Sequence, residues 1–301
     1  MIKNVMYLCA LFLVAACVPT QPLPTQPLPT QQAENIPTTD ADALQHPIAI
    51  PENAVIGGYI YETMTMIDGT TLEYALFLPI DFDPSQVYPI MVAMPPGGQN
   101  KSMVDAGFDS FWAEGANTNG WIVVSPVAPN GTLFFNGSEA HMPDFLDHIR
   151  VQYAPEGGKF HLTGISNGGI STFRVATIIP DYFHSILVVP GFPRTDTDFD
   201  NLSRLVDIPI AMYVGEDDSG WVERMEKTAE RLTQLGGQAT LVIKEGEGHL
   251  IGSLTDGVEL YEVLESFRED VKCNLEVAKI GAKNLSTNVR NWYKIYDPQN
   301  K

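Results

Sequence analysis

A serine flanked by glycines has the surroundings that best fit covalent chemistry in this chain. Ser166 lies in the segment Gly-Ile-Ser-Asn-Gly-Gly, which spans residues 164–169. An apolar stretch, Phe160–Ile165, precedes the serine, and a helical pattern begins near Ile170. A Gly-x-Ser-x-Gly segment between a buried strand and a helix predicts a tight, strained turn that exposes the serine hydroxyl. The sequence therefore predicts that Ser166 is a nucleophile; the alternative is a glycine-rich connection whose serine only caps the helix.

The second group that such a serine needs is a base that removes its proton. His184 and His249 are the histidines that follow Ser166 in the chain. His184 is expected at the start of the next strand, at the opposite end of the sheet from the serine. His249 follows the last apolar strand, in a Glu-Gly-Glu-Gly-His loop that can reach back over the sheet. We therefore predict that His249 is the base, and we interpret the histidines before Ser166 as surface or structural residues.

An acidic cluster that could hold the histidine follows the apolar stretch Ile208–Val214. The chain reads Gly-Glu-Asp-Asp from residue 215 to residue 218. A carboxylate that accepts the imidazole N–H fixes the tautomer of the base and stabilises the imidazolium that forms. Three consecutive acids cannot all point inward, so we predict Asp218 as the acid, with Asp217 second and Glu216 third. The alternative is that all three are exposed loop charges.

Two backbone amides are candidates for the oxyanion hole that this chemistry requires. The N–H of Asn167 is available at the start of the predicted helix. The second donor is expected in the loop after the apolar stretch 89–94, where the chain continues Pro-Pro-Gly-Gly. The two prolines have no N–H, so Gly97 is predicted as the donor, with Gly98 as the fallback. The alternative is a purely structural turn.

The elements that must bring these positions together are predicted by the apolar pattern. Short apolar stretches alternate with helical patterns, which indicates parallel strands joined by right-handed helical crossovers. The pair Asp68-Gly69 between two further apolar stretches is a hairpin signal. We therefore predict an α/β fold with a mostly parallel twisted sheet, helices on both faces and an antiparallel hairpin at the N-terminal edge. The predicted strands are 59–67, 72–78, 89–94, 121–127, 160–165, 185–189, 208–214 and 239–243.

In combination, these segments resemble the α/β-hydrolase superfamily. The strand–GISNGG–helix segment, the Gly215-x-x-Asp218 segment, the Gly-His249 loop and the Pro-Pro-Gly-Gly loop carry the resemblance, which covers about Tyr59 to Asp270. Within the superfamily the chain looks most like secreted esterases near the polyhydroxybutyrate depolymerase, feruloyl esterase and prolyl-oligopeptidase-like groups. The resemblance implies transfer of an acyl group to water through an acyl-enzyme. Many relatives carry a His-Gly pair where this chain has two prolines, so the oxyanion loop departs from the family pattern.

The N-terminal residues predict export and a lipid anchor. An apolar run, Val5–Ala16, follows a basic residue and ends in Val-Ala-Ala-Cys. We predict a signal peptide over residues 1–16 and lipidation of Cys17, because this pattern resembles a bacterial lipobox. A Pro/Gln/Thr-rich linker is predicted over 17–53 and a catalytic domain over 54–301. The protein is therefore expected to be anchored in the bacterial cell envelope, at the extracellular face or in the periplasm.

Charge and composition limit the function further. The formal net charge of −19 at pH 7 argues against nucleic acid as a partner. No metal and no cofactor are expected, because no cluster of metal-ligating residues is evident in the sequence. Leu133–Phe135 and Trp221 are expected near the site, and no cap segment is evident, which favours a small-molecule or polymeric ester as substrate. The main hypothesis is a serine hydrolase of carboxylic esters; the alternatives are a peptidase of the prolyl-oligopeptidase type and a non-catalytic binding protein on the same scaffold.

Overall fold

The fold is seen in a computed structural model that describes residues 50–268 of the 301-residue chain. The predicted signal peptide, Cys17 and most of the predicted linker lie outside the described residues, as do the positions after residue 268. Within the described range, none of the helices combines the length and the apolar character needed to cross a bilayer.

An eight-stranded mixed sheet forms the centre of the described part. Its strands are β1 (Gly58–Thr65), β2 (Thr71–Leu78), β3 (Ile90–Met94), β4 (Ile122–Pro126), β5 (Phe160–Gly164), β6 (Phe183–Val188), β7 (Ile210–Gly215) and β8 (Ala239–Lys244). The spatial order is β1-β2-β4-β3-β5-β6-β7-β8. Strand β2 pairs antiparallel with β1 and with β4, and every other pairing is parallel. The predicted mostly parallel sheet with an antiparallel N-terminal hairpin is therefore confirmed.

Helices cover both faces of the sheet. They are α1 (Lys101–Gly107), α2 (Ala113–Asn119), α3 (Met142–Tyr153), α4 (Asn167–Ile178), α5 (Asp196–Asp200), α6 (Ser219–Gln234) and α7 (residues 258–268 within the described range). A π-helical turn, Phe108–Trp112, joins α1 to α2. Strand side chains alternate between two buried clusters: Ile186 and Val188 face the helices α3, α4 and α6, whereas Leu187 faces α1, α2 and α7.

Burial on both faces explains why the central strands are continuous apolar runs. Every residue of β3, β4, β5 and β7 is buried, whereas the edge strands β1 and β8 are partly exposed. Because β3, β5, β7 and β8 run in the same direction, the loops that follow them all lie at the same end of the sheet, beyond the carboxyl ends of the strands. These four loops contain the predicted nucleophile, base, acid and oxyanion donors, so the topology brings distant sequence positions to the same end of the sheet.

Candidate active site

Ser166 occupies a strained turn between β5 and α4. Its backbone has φ +56° and ψ −117°, a conformation that is rare for a residue with a side chain. The turn is held by its neighbours, since the Ser166 N–H donates to the carbonyl of Val189. A Cβ atom at Gly168 would lie 2.0 Å from the carbonyl oxygen of Met94, so only glycine fits where the helix passes the end of β3. The predicted strained strand–turn–helix geometry is thus present around the serine.

The serine, a histidine and a carboxylate form one chain of hydrogen bonds. Ser166 Oγ lies 2.8 Å from His249 Nε2, and His249 Nδ1 lies 2.6 Å from Asp218 Oδ2. The carboxylate accepts the Nδ1 proton, which leaves the Nε2 lone pair directed at the serine hydroxyl. The Asp218 side chain is 16% exposed and that of His249 is 38% exposed, so solvent reaches the base more readily than the acid. The arrangement can therefore withdraw a proton from Ser166 and hold the resulting imidazolium.

The two other acids of the cluster point away from the histidine. Glu216 and Asp217 are exposed, and the Glu216 carboxylate accepts the N–H of Gly246 instead. Asp218 directly precedes α6, which turns its side chain toward the loop that carries His249. The structure thus brings Asp218, the preferred choice among the three predicted carboxylates, to His249 and leaves Glu216 and Asp217 in solvent.

Glu247 shapes the histidine loop, and sequence reasoning missed it. Its carboxylate accepts the backbone N–H of Gly252 at 2.6 Å and that of Ser253 at 3.1 Å, closing a short loop with His249 inside it. The hydrogen bonds to Ser253 and Gly252 hold the pKa of the Glu247 carboxyl below its ordinary value. The Glu247 carbonyl also accepts the N–H of Asp217, which joins the loop after β7 to the loop that carries His249. An isolated glutamate in a Gly-rich loop gave no sequence signal for this role.

The two predicted oxyanion donors lie on segments that contact each other. Asn167 is the first residue of α4, where a helix leaves its N–H groups without intrahelical partners. Gly97 follows β3 and has φ +54°, a left-handed conformation that favours glycine. The side-chain amide of Asn167 donates to the Gly97 carbonyl over 2.8 Å. This bond fixes the loop that contains Gly97 (the glycine loop) beside the turn at Ser166, despite the two prolines that precede Gly97.

The side chain of Gln99 holds the glycine loop in place, and no sequence pattern predicted this role. The residue is fully buried and adopts φ +53°. Its Nε2 donates to Ser171 Oγ over 2.8 Å and to the Pro95 carbonyl over 3.2 Å, and its Oε1 accepts the N–H of Phe134 at 2.8 Å. One side chain therefore joins the glycine loop, the helix α4 and the long loop after β4.

Two aromatic rings pack in series beside His249, the partly exposed ring of Trp221 and the buried ring of Phe192. The ring of Trp221 lies 4.8 Å from the imidazole, and the ring of Phe192 lies 4.8 Å from that of Trp221. Of the predicted aromatic pair in the long loop, Phe134 is buried in the core and Phe135 is partly buried. Leu250, next to the histidine, is 77% exposed. The rim is therefore apolar close to the base.

The remaining histidines lie away from this arrangement or outside the described residues. His161 and His184 are near the start of β5 and β6, at the opposite end of the sheet from Ser166. His148 lies beside the Tyr74 hydroxyl, and burial lowers the pKa of its imidazole. His141 lies 3.8 Å from an Asp68 carboxylate oxygen. Over residues 50–268, no three His, Cys, Asp or Glu side chains are grouped so that they could hold a metal ion.

Comparison with known proteins identifies the fold. No family model matches the chain. A thermostable esterase is similar over 70% of this chain and 62% of its own, with a TM-score of 0.59 and 21% identity. A protein described as dipeptidyl aminopeptidase IV, from Bacteroides ovatus, matches 71% of this chain but only 36% of its own length, with a TM-score of 0.57 and 16% identity. The feruloyl esterase module of Clostridium thermocellum gives a TM-score of 0.52 at 17% identity, over 73% of this chain and 89% of the module.

The chain spans less than two thirds of the length of the thermostable esterase and of the Bacteroides ovatus protein. Their shared architecture, together with the strand order and the placement of the helices, shows that this chain has the α/β-hydrolase fold. The predicted fold class is therefore confirmed.

Proposed function

We propose that this protein is a serine hydrolase that cleaves carboxylic esters. The hydrogen-bonded chain from Ser166 through His249 to Asp218 carries the proposal, because it combines a nucleophile, a base and an orienting acid. The α/β-hydrolase fold and the esterases that share it support ester hydrolysis. No metal or cofactor is required by this chemistry.

The proposed reaction has two steps. Ser166 Oγ attacks the ester carbonyl while His249 takes the hydroxyl proton, and the N–H groups of Gly97 and Asn167 stabilise the oxyanion. The alcohol leaves with the proton from His249, which yields an acyl-enzyme on Ser166. Water then loses a proton to His249 and attacks the acyl carbonyl; as the bond from the acyl carbon to Ser166 Oγ breaks, His249 returns the proton to Oγ, which releases the acid and restores the serine hydroxyl. Asp218 keeps the imidazole in the required tautomer throughout.

The test is hydrolysis of p-nitrophenyl esters from acetate to octanoate by the purified protein and by Ser166→Ala. We expect turnover by the wild type and a loss of at least about 1,000-fold in the variant. Equal activity in both proteins would contradict the assignment of the nucleophile. The matching p-nitroanilides distinguish the esterase from a peptidase of the prolyl-oligopeptidase type, because the same three residues can cleave amides. Absence of turnover on any ester or anilide by the folded protein would favour a binding function.

We also propose that the protein is exported and anchored by a lipid on Cys17, with a linker over 17–53 and the catalytic domain over 54–301. The proposal is supported by the apolar run and the Val-Ala-Ala-Cys segment. In a bacterial host, the wild type is expected to enter the detergent phase of a Triton X-114 extraction, whereas Cys17→Ser stays in the aqueous phase. Equal partitioning of the two proteins would overturn the anchor.

A further inference from the structure

A pocket of about 250 Å³ lies beside α6, one helical turn beyond the aromatic rim of the proposed active site. Three of its lining side chains are cationic, and one, that of Asp196, is acidic. We call this pocket the cationic pocket. Its lining consists of Phe192, Pro193, Arg194, Thr195, Asp196, Phe199, Arg224, Lys227 and Thr228.

The cations of this pocket are exposed and unpaired within the described part of the chain. Arg194, Arg224 and Lys227 make no ion pair with a carboxylate of residues 50–268. The neighbouring Arg174 differs, because its guanidinium pairs with Glu139 and Asp198. In a chain with a formal net charge of −19, three cationic side chains against the one carboxylate of Asp196 give this pocket an excess of positive charge.

Aromatic rings hold the two arginines of the pocket in place. The Arg224 guanidinium lies 4.9 Å from the ring centre of Phe192, and that of Arg194 lies 4.7 Å from the ring centre of Phe135. Stacking on a ring leaves the N–H groups at the edge of the guanidinium free for a ligand. A planar guanidinium with free N–H groups is suited to bidentate recognition of a carboxylate.

The pocket is connected to the proposed base through adjacent rings. On α6, Trp221 contacts His249, and Arg224 is three residues further along, close to one helical turn. Phe192 bridges the two, since its ring lies 4.8 Å from Trp221 and also beneath Arg224. The exposed part of Trp221 therefore lies between His249 and Arg224, on the path that a substrate held at Ser166 takes to reach the arginines.

We propose that the cationic pocket binds a carboxylate of the substrate, so that the preferred substrates are esters that carry a second, anionic group. This inference rests on the proposed function and narrows its substrate class. The carboxylate takes no part in bond making or breaking; its contacts with Arg194 and Arg224 position the ester carbonyl at Ser166. The partly exposed ring of Trp221 contacts the carbon chain between the two groups, and the buried ring of Phe192 supports both Trp221 and Arg224.

The test compares charged and neutral esters of matched length. One arm uses mono-p-nitrophenyl esters of adipate and suberate beside their methyl-capped counterparts, which places the charge on the acyl side. The other arm uses 4-butyryloxyphenylacetate beside its methyl ester, which places the charge on the alcohol side. The quantity measured is the ratio of kcat/KM for the charged and the neutral ester, in wild type, Arg194→Gln, Arg224→Gln and the double variant.

We expect the wild-type ratio to exceed one in at least one arm and to fall about fivefold in the double variant, the size expected for an exposed charge pair. The ratio should also fall at 1 M salt, where the screening length is about 3 Å. Lys159→Gln is the matched control, because Lys159 precedes β5 at the opposite end of the sheet, and it should leave the ratio unchanged.

The outcomes separate this inference from the proposed function. Turnover of the neutral esters without a preference for the charged ones, in both arms, overturns the carboxylate pocket and leaves the esterase standing. A preference that persists in the double variant overturns the assignment to these arginines. Absence of turnover of every ester by the folded wild type overturns both the esterase and the pocket.

Discussion

At the scale of single residues, the proposed catalytic groups depend on side-chain hydrogen bonds that involve no substrate atom in the proposed mechanism. The side chain of Asn167 holds the carbonyl of Gly97, and the carboxylate of Glu247 closes the loop that carries His249. The position of the base therefore depends on a glutamate that never contacts it. Small displacements of such groups lower reaction rates strongly, because proton transfer requires hydrogen-bond distances.

Asp218→Asn tests the choice among the three acids. The amide keeps the size of the side chain but cannot accept the Nδ1 proton in the same way, so the tautomer of His249 is no longer fixed. We expect kcat on a p-nitrophenyl ester to fall by about 10³- to 10⁴-fold. Asp217→Asn, one residue earlier and exposed, is the matched control and should change kcat by less than twofold. A larger loss in the control than in Asp218→Asn would reverse the assignment.

Part of the candidate site could be predicted from the sequence, because the order of the serine, the acid and the histidine along the chain restricts which residues can fill each role. Of the two histidines after Ser166, only His249 is expected at the correct edge of a parallel sheet. Among three neighbouring acids the sequence predicts Asp218 as the partner of His249, but the directions of the three side chains depend on the turn after β7, which the sequence does not encode in a recognisable pattern. Gln99 could not be found, since nothing near it predicts that a glutamine should be buried.

At the scale of elements, the glycine loop after β3 is positioned by hydrogen bonds to two other segments. Gln99→Leu keeps the approximate size of the side chain and leaves the Ser171 hydroxyl and the Phe134 N–H without this partner. We expect unfolding free energy to fall by about 2–3 kcal/mol, the cost of buried polar groups without partners. Urea denaturation measures the loss, and kcat should fall with it because the loop carries Gly97.

The control for this substitution is Gln86→Leu, because Gln86 is exposed and, within residues 50–268, its side-chain amide makes one long hydrogen bond, to Asp83 Oδ2 at 3.5 Å. Its unfolding free energy should change by no more than about 0.5 kcal/mol. If both variants lose the same stability, the three-way connection through Gln99 has no special role.

The elements themselves were predictable because burial on both faces selects continuous apolar strands. The predicted and observed strands agree within a few residues, as for 160–165 and β5, Phe160–Gly164. The division of the helices between the two faces could not be predicted, because it depends on how each crossover packs. The π-helical turn between α1 and α2 likewise leaves no periodic pattern.

At the scale of the whole molecule, a buried histidine makes the stability of the fold depend on pH. His161 is buried in β5, with its Nδ1 2.7 Å from Ser185 Oγ. Burial, followed by the charges of His184 and Arg268, lowers the pKa of His161 from 6.5 to about 3. In the unfolded chain His161 therefore binds a proton near pH 6.5, whereas in the folded protein it binds one only near pH 3. Stability is lost as the pH falls through that window, at roughly 1.4 kcal/mol per pH unit.

His161→Gln tests this dependence through the change between two pH values. Between pH 7 and pH 5, the loss of unfolding free energy in the variant should be about 2 kcal/mol smaller than in the wild type. Urea denaturation at both pH values gives the difference, and the other titrating groups cancel because they are common to both proteins. Identical losses in the two proteins would show that His161 remains protonated when folded.

The proposed role of Ser166 is tested most directly by labelling the folded protein with a fluorophosphonate. Peptide mass spectrometry then identifies the residue that carries the label. Such reagents phosphonylate a serine that a neighbouring base activates. We predict one adduct, on Ser166, which is absent in Ser166→Ala and strongly slowed in His249→Ala. An adduct at another residue, or turnover of esters by a protein that never labels at Ser166, would contradict the proposal that this serine is the nucleophile.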